Sequence, residues 1–410
     1  MSEIPLVRVA DCCDILDNER IPLNSEQRSK IKGNIPYYGA NGVQGFINKY
    51  LFDEELILLA EDGGNFEEYE TRPIAYRVRG KSWVNNHAHV LRVKREYDKS
   101  FVFYSLEHKN VTHFIKGGTR AKLNQAELRE ITIWDASYET QKQIGELFNK
   151  LNAQIDTTQA LIDKYTLIKQ GMMADLFSRG IDTSTGQLRP SFEEAPEHYH
   201  KTDLGWLPKG WDALPLSELS TIASGITMGK DLTGVKTVTV PYLRVANVQD
   251  GYLDLSEVKT VKVPADEAGK YVLQYGDVLM NEGGDFDKLG RGTVWRNEIN
   301  ECSHQNHVFR VRVQESKLRS EYLAYWSASS FGKKYFILNS KQSTNLASIN
   351  STQLKAFPIA TPSSTEQLEI ETRVKSVDNM ISAYQSELNK LTLQKQGLMQ
   401  DLLTGKVSIK

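Results

Sequence analysis

LIKQGMMADLFSRG, residues 167–180, returns 226 residues later as LQKQGLMQDLLTGK, residues 393–406. Seven of the fourteen aligned positions are identical: Leu167/Leu393, Lys169/Lys395, Gln170/Gln396, Gly171/Gly397, Met173/Met399, Asp175/Asp401 and Leu176/Leu402. The match extends outward. Leu123, Asn124 and Leu128 align with Ile349, Asn350 and Leu354, and Gln141 and Ile144 with Gln367 and Ile370. At offset 220, LAEDGGNF (59–66) matches LMNEGGDF (279–286), and Asn86-His87 matches Asn306-His307. The matches keep one order in both halves, and a few loop insertions account for the drift in offset. The chain is one tandem duplication of two units of about 200 residues, not a solenoid, whose repeats run about 20–50 residues.

Each unit changes character partway. Its first part is rich in short β-branched and aromatic runs broken by Gly, Asn and Pro: ELILLA (55–60), IAYRVRG (74–80), HVLRV (89–93) and EITIW (130–134), then VPYLRVANV (240–248), VFRVRV (308–313) and FPIAT (357–361). These predict strands and turns, with helices near 98–109 and 318–330. After Ala136 and after Pro362 the period becomes helical. Ile370, Val374, Val377, Ile381, Tyr384, Leu388, Leu391, Leu398 and Leu402 follow 3–4 spacing, interrupted by Lys395. Shifted back by 226 they become Ile144, Phe148, Leu151, Ile155, Thr158, Ile162, Tyr165, Met172 and Leu176, interrupted by Lys169. Such a/d spacing marks a coiled-coil seam. Each helix has roughly 40 residues, about 60 Å. Ser363, Ser364 or Thr365 suits the start of the second helix, and Gly180 and Gly405 suit the two stops.

A long helix cannot bury an apolar seam on itself, so two matching seams predict an antiparallel pair. The helix-pairing positions are Ile144, Leu151, Ile155, Ile162, Tyr165, Ile370, Val377, Ile381, Leu388 and Leu391. The alternative is two separate helices, each docked on its own globular part. The expected fold class is α+β: two similar mixed α/β domains, 1–137 and 213–362, with long helices over 138–180 and 363–410. A polar connector, 181–212, is expected to carry little regular structure, with Trp206 and Trp211 anchoring it.

Hydrophobic content of 40% and charged content of 25% fit an ordinary folded protein, and no apolar run reaches about 18 residues, so no membrane span is expected. Three cysteines, two of them adjacent, make no disulfide framework. With no secretory signal visible, a cytoplasmic location is the expectation. Net charge is −2, so any nucleic-acid surface must be local.

The basic residues are clustered. Between 71 and 95 stand Arg72, Arg77, Arg79, Lys81, Arg92, Lys94 and Arg95 without an acid, and between 108 and 126 Lys109, Lys116, Arg120 and Lys122. The second unit has Lys333, Lys334, Lys341 and Lys355 over 331–358, and Lys288, Arg291 and Arg296 over 288–296. One basic zone per unit is the footprint of phosphate contact. KGGTRAKLN (116–124), with Gly118 and Thr119, and SKQSTNLASIN (340–350), with Gln342, Ser343, Thr344 and Asn345, add side chains suited to base edges. Arg244, Asn247, Asn86, His87, Asn306 and His307 complete the candidates for DNA contact, although the recurring His87 and His307 read first as hydrogen-bonding groups that position a loop. The bland alternative is a solvated basic face.

No Gly-rich nucleotide loop and no amino-methyltransferase motif is present. Glu61, Asp62 and Glu282 head Gly-Gly turns and read as turn residues before metal ligands. Cys302, His304 and His307 are too short a cluster for zinc. No catalytic residue and no metal site is assigned.

The duplicated basic domains, twin helices and absent catalytic motif resemble the specificity subunit of Type I restriction–modification enzymes. The words that carry the resemblance are IPYYGANGVQG (35–45), LLAEDGGNF (58–66), WVNNHAHVLR (83–92), LPKGW (207–211), GDVLMNEGG (276–284) and the twin KQGMM/KQGLM segments. The resemblance implies two target recognition domains, each reading half of a split site in double-stranded DNA, with the long helices setting the spacing. It implies two modification subunits that bind S-adenosylmethionine, and restriction subunits driven by ATP with Mg. It implies a chain that is no enzyme and holds no cofactor itself. The unlike stretches KGGTRAKL and SKQSTNLASI imply an asymmetric site. The competing readings are a coiled-coil scaffold with basic protein-binding faces and a metal-dependent nuclease.

Overall fold

The structure is a computed structural model, and it describes residues 4–116, 121–284, 289–290, 292–342 and 347–407, with the backbone alone at 342. The fold is mixed α+β, divided into two compact units. The first comprises residues 1–160 and 384–410, the second residues 161–383. The division falls inside both long helices.

In the first unit a four-stranded antiparallel sheet has the order Cys13–Ile15, Ala88–Val93, Leu56–Ala60, Ala75–Val78. The strand from Leu56 is apolar at every position because both its faces are covered. Ile57 and Leu59 enter one core with Phe101, Val102 and Ile144, while Leu56 and Leu58 enter another with Phe52 and Val90. Side chains alternate along a strand, so a continuous apolar run fits burial on both sides. A second sheet has the order Gly42–Ile47, Lys32–Gly39, Lys81–Val84, Phe52–Asp53, and it contains a parallel pairing of Tyr37 with Trp83.

The second unit repeats this plan. Its four-stranded sheet has the order Ser220–Ser224, Val308–Val313, Val278–Asn281, Gly292–Val294. Val278 and Met280 face one core and Leu279 another. A second sheet orders Lys259–Pro264, Thr237–Leu243 and Ser303–His304, again with a parallel pairing, Tyr242 with Ser303. The strand ladders correct the sequence alignment by one residue. Ala60 pairs with Ala88 and Asn281 with Val308, so the first strand is displaced by 221 residues and its partner by 220.

The helices over 98–109 and 318–330 are Lys99–Glu107 and Ser320–Ala328, and Ser330–Asn339 follows the latter. The long helices are Tyr138–Arg179 and Ser364–Leu402. Their starts are built alike. Ser137 Oγ accepts the Thr140 N–H at 3.3 Å, and Ser363 Oγ accepts the Glu366 N–H at 3.3 Å. Gln141 accepts the Asp98 N–H at 2.9 Å and donates to the Ala136 carbonyl at 2.8 Å. Gln367 accepts the Arg319 N–H at 2.9 Å and donates to the Pro362 carbonyl at 2.9 Å. Both stops are left-handed glycines, Gly180 at φ 64° and Gly405 at φ 70°.

In the first unit, the start of one long helix shares a core with the end of the other: Ile144 and Phe148 with Leu398, Met399 and Leu402. In the second unit Lys169 pairs with Asp378 at 2.6 Å. The helices therefore run antiparallel. The seam is not purely helix against helix, however. Ile144 and Ile370 are fully buried in globular cores, as are Met173, Leu176 and Phe177. Leu151, Ile162 and Leu391 are buried, whereas Ile155, Tyr165, Val377, Ile381 and Leu388 are only partly covered.

The interrupting lysines are not flaws in the seam. Lys395 lies 2.8 Å from Glu107 and 5.6 Å from the centre of the Tyr104 ring. Lys169 stands 5.7 Å from the centre of the Tyr325 ring while it pairs with Asp378. Each lysine docks its helix end on the aromatic side chain of a globular helix, combining an ion pair with a cation–π contact.

The connector is more regular than its composition suggests. It forms two hairpins, Ile181–Asp182 with Gln187–Leu188 and Tyr199–Thr202 with Gly205–Pro208. Trp211 anchors it, buried, with its indole N–H on Glu366 at 3.1 Å. The same carboxylate accepts the Ile181 N–H at 2.7 Å and pairs with Arg189. Trp206 is no anchor on the domain: it is 47% exposed and stacks on Phe192 within the connector, ring centres 4.5 Å apart. No described helix is long and apolar enough to cross a membrane. The three cysteines are buried and unbridged.

Candidate nucleic-acid interface

In each unit the chain crosses back on itself beside the Gly-Gly turn. In the first, Lys116 and Lys122 exchange backbone hydrogen bonds at 3.0 and 3.1 Å, and Lys122 also bridges to Asp62. In the second, Lys341–Gln342 pairs with Ala347–Ser348, which pairs in turn with Gly283–Gly284. The tips between these strands, 117–120 and 343–346, lie outside the described residues. Gly118, Thr119, Arg120, Ser343, Thr344 and Asn345 are on them. Arg291 and the side chain of Gln342 also lie outside.

The footing of both crossings is the same. The Leu123 N–H reaches the Glu61 carbonyl at 2.8 Å, and the Glu61 N–H reaches the His87 carbonyl at 2.9 Å. The Ile349 N–H reaches the Glu282 carbonyl at 2.8 Å, and the Glu282 N–H the His307 carbonyl at 3.0 Å. Each histidine faces a carboxylate. His87 Nδ1 is 2.6 Å from Asp62, and His307 Nδ1 is 2.6 Å from Glu282. Their side chains remain 37% and 56% exposed. Asn86 and Asn306, beside them, are exposed and half-buried respectively.

Behind the first crossing lies a buried charge network. Glu61 pairs with Arg20 at 2.6 Å and Lys122 at 3.1 Å. His89 lies between Asp17, 2.6 Å from Nδ1, and the Leu123 carbonyl, 2.8 Å from Nε2. Burial alone would raise the Asp17 carboxyl, but bonds from His89 and the Val90 N–H hold it below the usual carboxylate value. Asp17, Glu61 and His89 are close enough to share a metal ion. Yet Arg20 and Lys122 already neutralise Glu61, and both nitrogens of His89 are engaged, so the group reads as a satisfied ion network. Sequence reasoning passed over Asp17 and His89. The strand Ala88–Val93 is buried at consecutive positions on both faces, so no alternation in the sequence marked His89.

The basic run from 71 to 95 proves largely neutralised. Arg72 pairs with Glu68 at 2.8 Å, Arg79 with Glu55 at 3.1 Å, and Arg92 with Glu54 at 2.6 Å. Arg77 is committed to packing: it stands 4.6 Å from the centre of the Phe103 ring and bonds Asn149, with its side chain only 13% exposed. The acids lie before the run in sequence, Glu68 close to it and Glu54 and Glu55 further back, and beside it in space. Lys116 is 70% exposed but pairs with Glu127.

In the second unit Arg244 and Asn247 are structural. Asn247 is 3% exposed, and its amide donates to the carbonyls of Asp254 and Glu257. Arg244 pairs with Glu257 at 2.9 Å. Lys334 and Lys341 are exposed and, among the described residues, have no ion pair. The cysteine–histidine cluster does not converge. His304 Nδ1 bonds the Val308 carbonyl at 2.7 Å while His307 turns to Glu282. Burial pushes the Cys302 thiol up to about 12 and the His304 imidazole down to about 4.

Comparison with known proteins agrees with this twofold plan. The family described as the Type I restriction modification DNA specificity domain matches residues 1–166 and again 208–393. A protein of Haemophilus influenzae described as a type I restriction enzyme specificity subunit is 36% identical over 153 residues, 37% of this chain and 38% of that one. The chain thus spans well under half the length of that curated relative. The type I restriction enzyme MjaVIII specificity subunit of Methanocaldococcus jannaschii is 25% identical over 99% of this chain and 93% of its own. Among solved structures, the S subunit of a Type I restriction–modification system from M. genitalium superposes with a TM-score of 0.61 at 13% identity, covering 98% of this chain and 97% of that one.

Proposed function

We propose that this chain, which belongs to the Type I restriction modification DNA specificity family, reads a split, asymmetric site in double-stranded DNA and carries the subunits that act on it. The observation behind this reading is the pair of crossings. Two units share one footing, Leu123–Glu61–His87 and Ile349–Glu282–His307, and carry unlike tips, KGGTRA and QSTNLA. A common frame under different side chains suits the reading of two different half-sequences.

The chain is no enzyme in this reading. S-adenosylmethionine, ATP and Mg belong to modification and restriction subunits docked on it. Leu167 and Leu393, equivalent positions of the repeated helix segment, are both 67% exposed and offer matched apolar contacts for two such partners. The nuclease reading is disfavoured, because Glu61, Asp62 and Glu282 are already engaged by Arg20, His87 and His307.

The test is methylation mapping of cells given this chain with its modification subunits. Adenine methylation at a two-part motif that disappears without this chain is expected. Methylation independent of the chain overturns the reading, as does DNA cleavage by the purified chain with Mg.

A further inference from the structure

The two acid–histidine pairs invite a sharper question, because they survive where the recognition tips diverge. At 2.6 Å in both units, on equivalent footings, a carboxylate holds the Nδ1 side of an exposed imidazole. The carboxylate is not even at the same backbone position. In the first unit it comes from Asp62, one residue after the Glu61 that carries the shared backbone bonds, and in the second from Glu282 itself. The pairing is thus retained although the residue supplying it has moved.

We propose that each pair grips one backbone phosphate of the DNA, His87 carried by Asp62 on one half-site and His307 carried by Glu282 on the other. This rests on the DNA-recognition reading above. Two half-sites of different sequence have no base edge in common at a given step. What they share is the phosphate backbone, and a device common to both units suits a feature common to both half-sites.

The chemistry fits. With Nδ1 bonded to a carboxylate, the ring presents Nε2 outward. His307 Nε2 lies 3.4 Å from the Asn306 amide nitrogen. An arriving phosphate oxygen needs a donor there. A ring that carries protons on both nitrogens bonds the carboxylate through Nδ1–H and the phosphate through Nε2–H, giving carboxylate, imidazolium and phosphate in alternating charge. A cavity of about 370 Å³ lined by Val245, Glu282, Gly283, His307 and Ser348 opens onto the second pair. Among the described residues the charged groups near His87 include Asp62, Glu61, Lys122 and Arg20, the last two already on Glu61. Asp62 and Glu282 are positioning residues here; the histidines make the contact.

The experiment measures DNA affinity of the complex with its modification subunits from pH 6 to pH 8.5. It uses one duplex carrying the mapped motif and one with both halves scrambled. Wild-type affinity for both duplexes should rise as pH falls. His87→Gln and His307→Gln should each weaken both duplexes about tenfold at pH 6 and shrink the pH dependence, and the double variant should shrink it further. Asp62→Asn and Glu282→Gln, which keep the ring, should reduce the pH dependence in the same way. Asp62→Glu and Glu282→Asp should restore it. A loss confined to the motif duplex overturns the proposal in favour of a base contact. Histidine variants that match wild type at every pH overturn it outright. A wild-type complex that prefers no motif overturns the recognition reading instead.

Discussion

Lys395 Nζ lies 2.8 Å from the Glu107 carboxylate, with both side chains nearly nine-tenths covered. Its counterpart, Lys169 with Asp378, is closer at 2.6 Å but more open, at 26% and 32% exposure. Only the lysine is repeated in register: its acidic partner is on a globular helix in the first unit and on the other long helix in the second.

Removing one member of a buried pair strands the other charge. Lys395→Met should destabilise the chain by roughly 3 kcal/mol, and adding Glu107→Gln should restore much of the loss. Lys169→Met, at the more open pair, should cost about 1 kcal/mol or less. Chemical unfolding of the three variants checks this. Equal losses at Lys395 and Lys169 would mean that burial does not set the cost.

Lys341 is exposed and unpaired among the described residues, whereas Arg77 is spent on Phe103 and Asn149. Lys341→Ala should weaken binding to all DNA sequences and lower the salt slope by about one unit. Arg77→Ala should leave the slope unchanged and lower the melting temperature. Lys116→Ala should fall between wild type and Lys341→Ala in slope, because Glu127 already holds Lys116.

His304 makes stability depend on pH. Burial keeps it neutral down to about pH 4, while in the unfolded chain it titrates near 6.5. The unfolded state takes up its proton first. Stability is therefore full above about pH 6.5 and declines as pH falls towards 4, by about 3 kcal/mol at most. His304→Gln keeps a donor for the Val308 carbonyl and cannot titrate. Its unfolding free energy should vary less than wild type across this window, and an identical decline would assign the effect to other groups.

If the long helices measure the distance between half-sites, their length should be readable in DNA. One heptad is about 10.5 Å of helix, about three base pairs at roughly 3.4 Å each. A heptad inserted after Ile155 and another after Ile381 should preserve both half-sequences and widen their gap by up to about three base pairs. A four-residue insertion in one helix rotates everything beyond it and should abolish function. Methylation mapping over every spacer length is the readout. Unchanged spacing in the heptad variant would remove the helices from this role.

Much of the fold was legible because duplication printed it twice. Helix ends, the Gly180 and Gly405 stops and the strands at VFRVRV and HVLRV follow from period and punctuation alone. The candidate interface was less legible, for a physical reason. A run of basic residues reports charge along the chain, but neutralisation happens in space, and Glu54, Glu55 and Glu68 all precede the run that they neutralise. Asn247 looked like a base reader and is instead the bracket of a turn, since one amide serves either purpose. Lys169 and Lys395 looked like defects in a seam because heptad spacing describes a helix facing another helix. It cannot anticipate an aromatic ring on a third element. The hairpins of the connector escaped because their strands are two to four residues long, too short to show a period.

The glutamines at the feet of the long helices have a mechanical meaning. Gln141 and Gln367 each tie a helix start to the backbone on two sides, at 2.8–2.9 Å. A 42-residue helix is a lever of about 63 Å. Over residues 138–160, the part within the first unit and about 34 Å long, a swing of about 10° at the foot would displace the helix sideways by about 6 Å. Two hydrogen bonds from one side chain at the pivot thus act as an aiming device. Where they hold, small errors in angle are stopped before the length of the helix can magnify them.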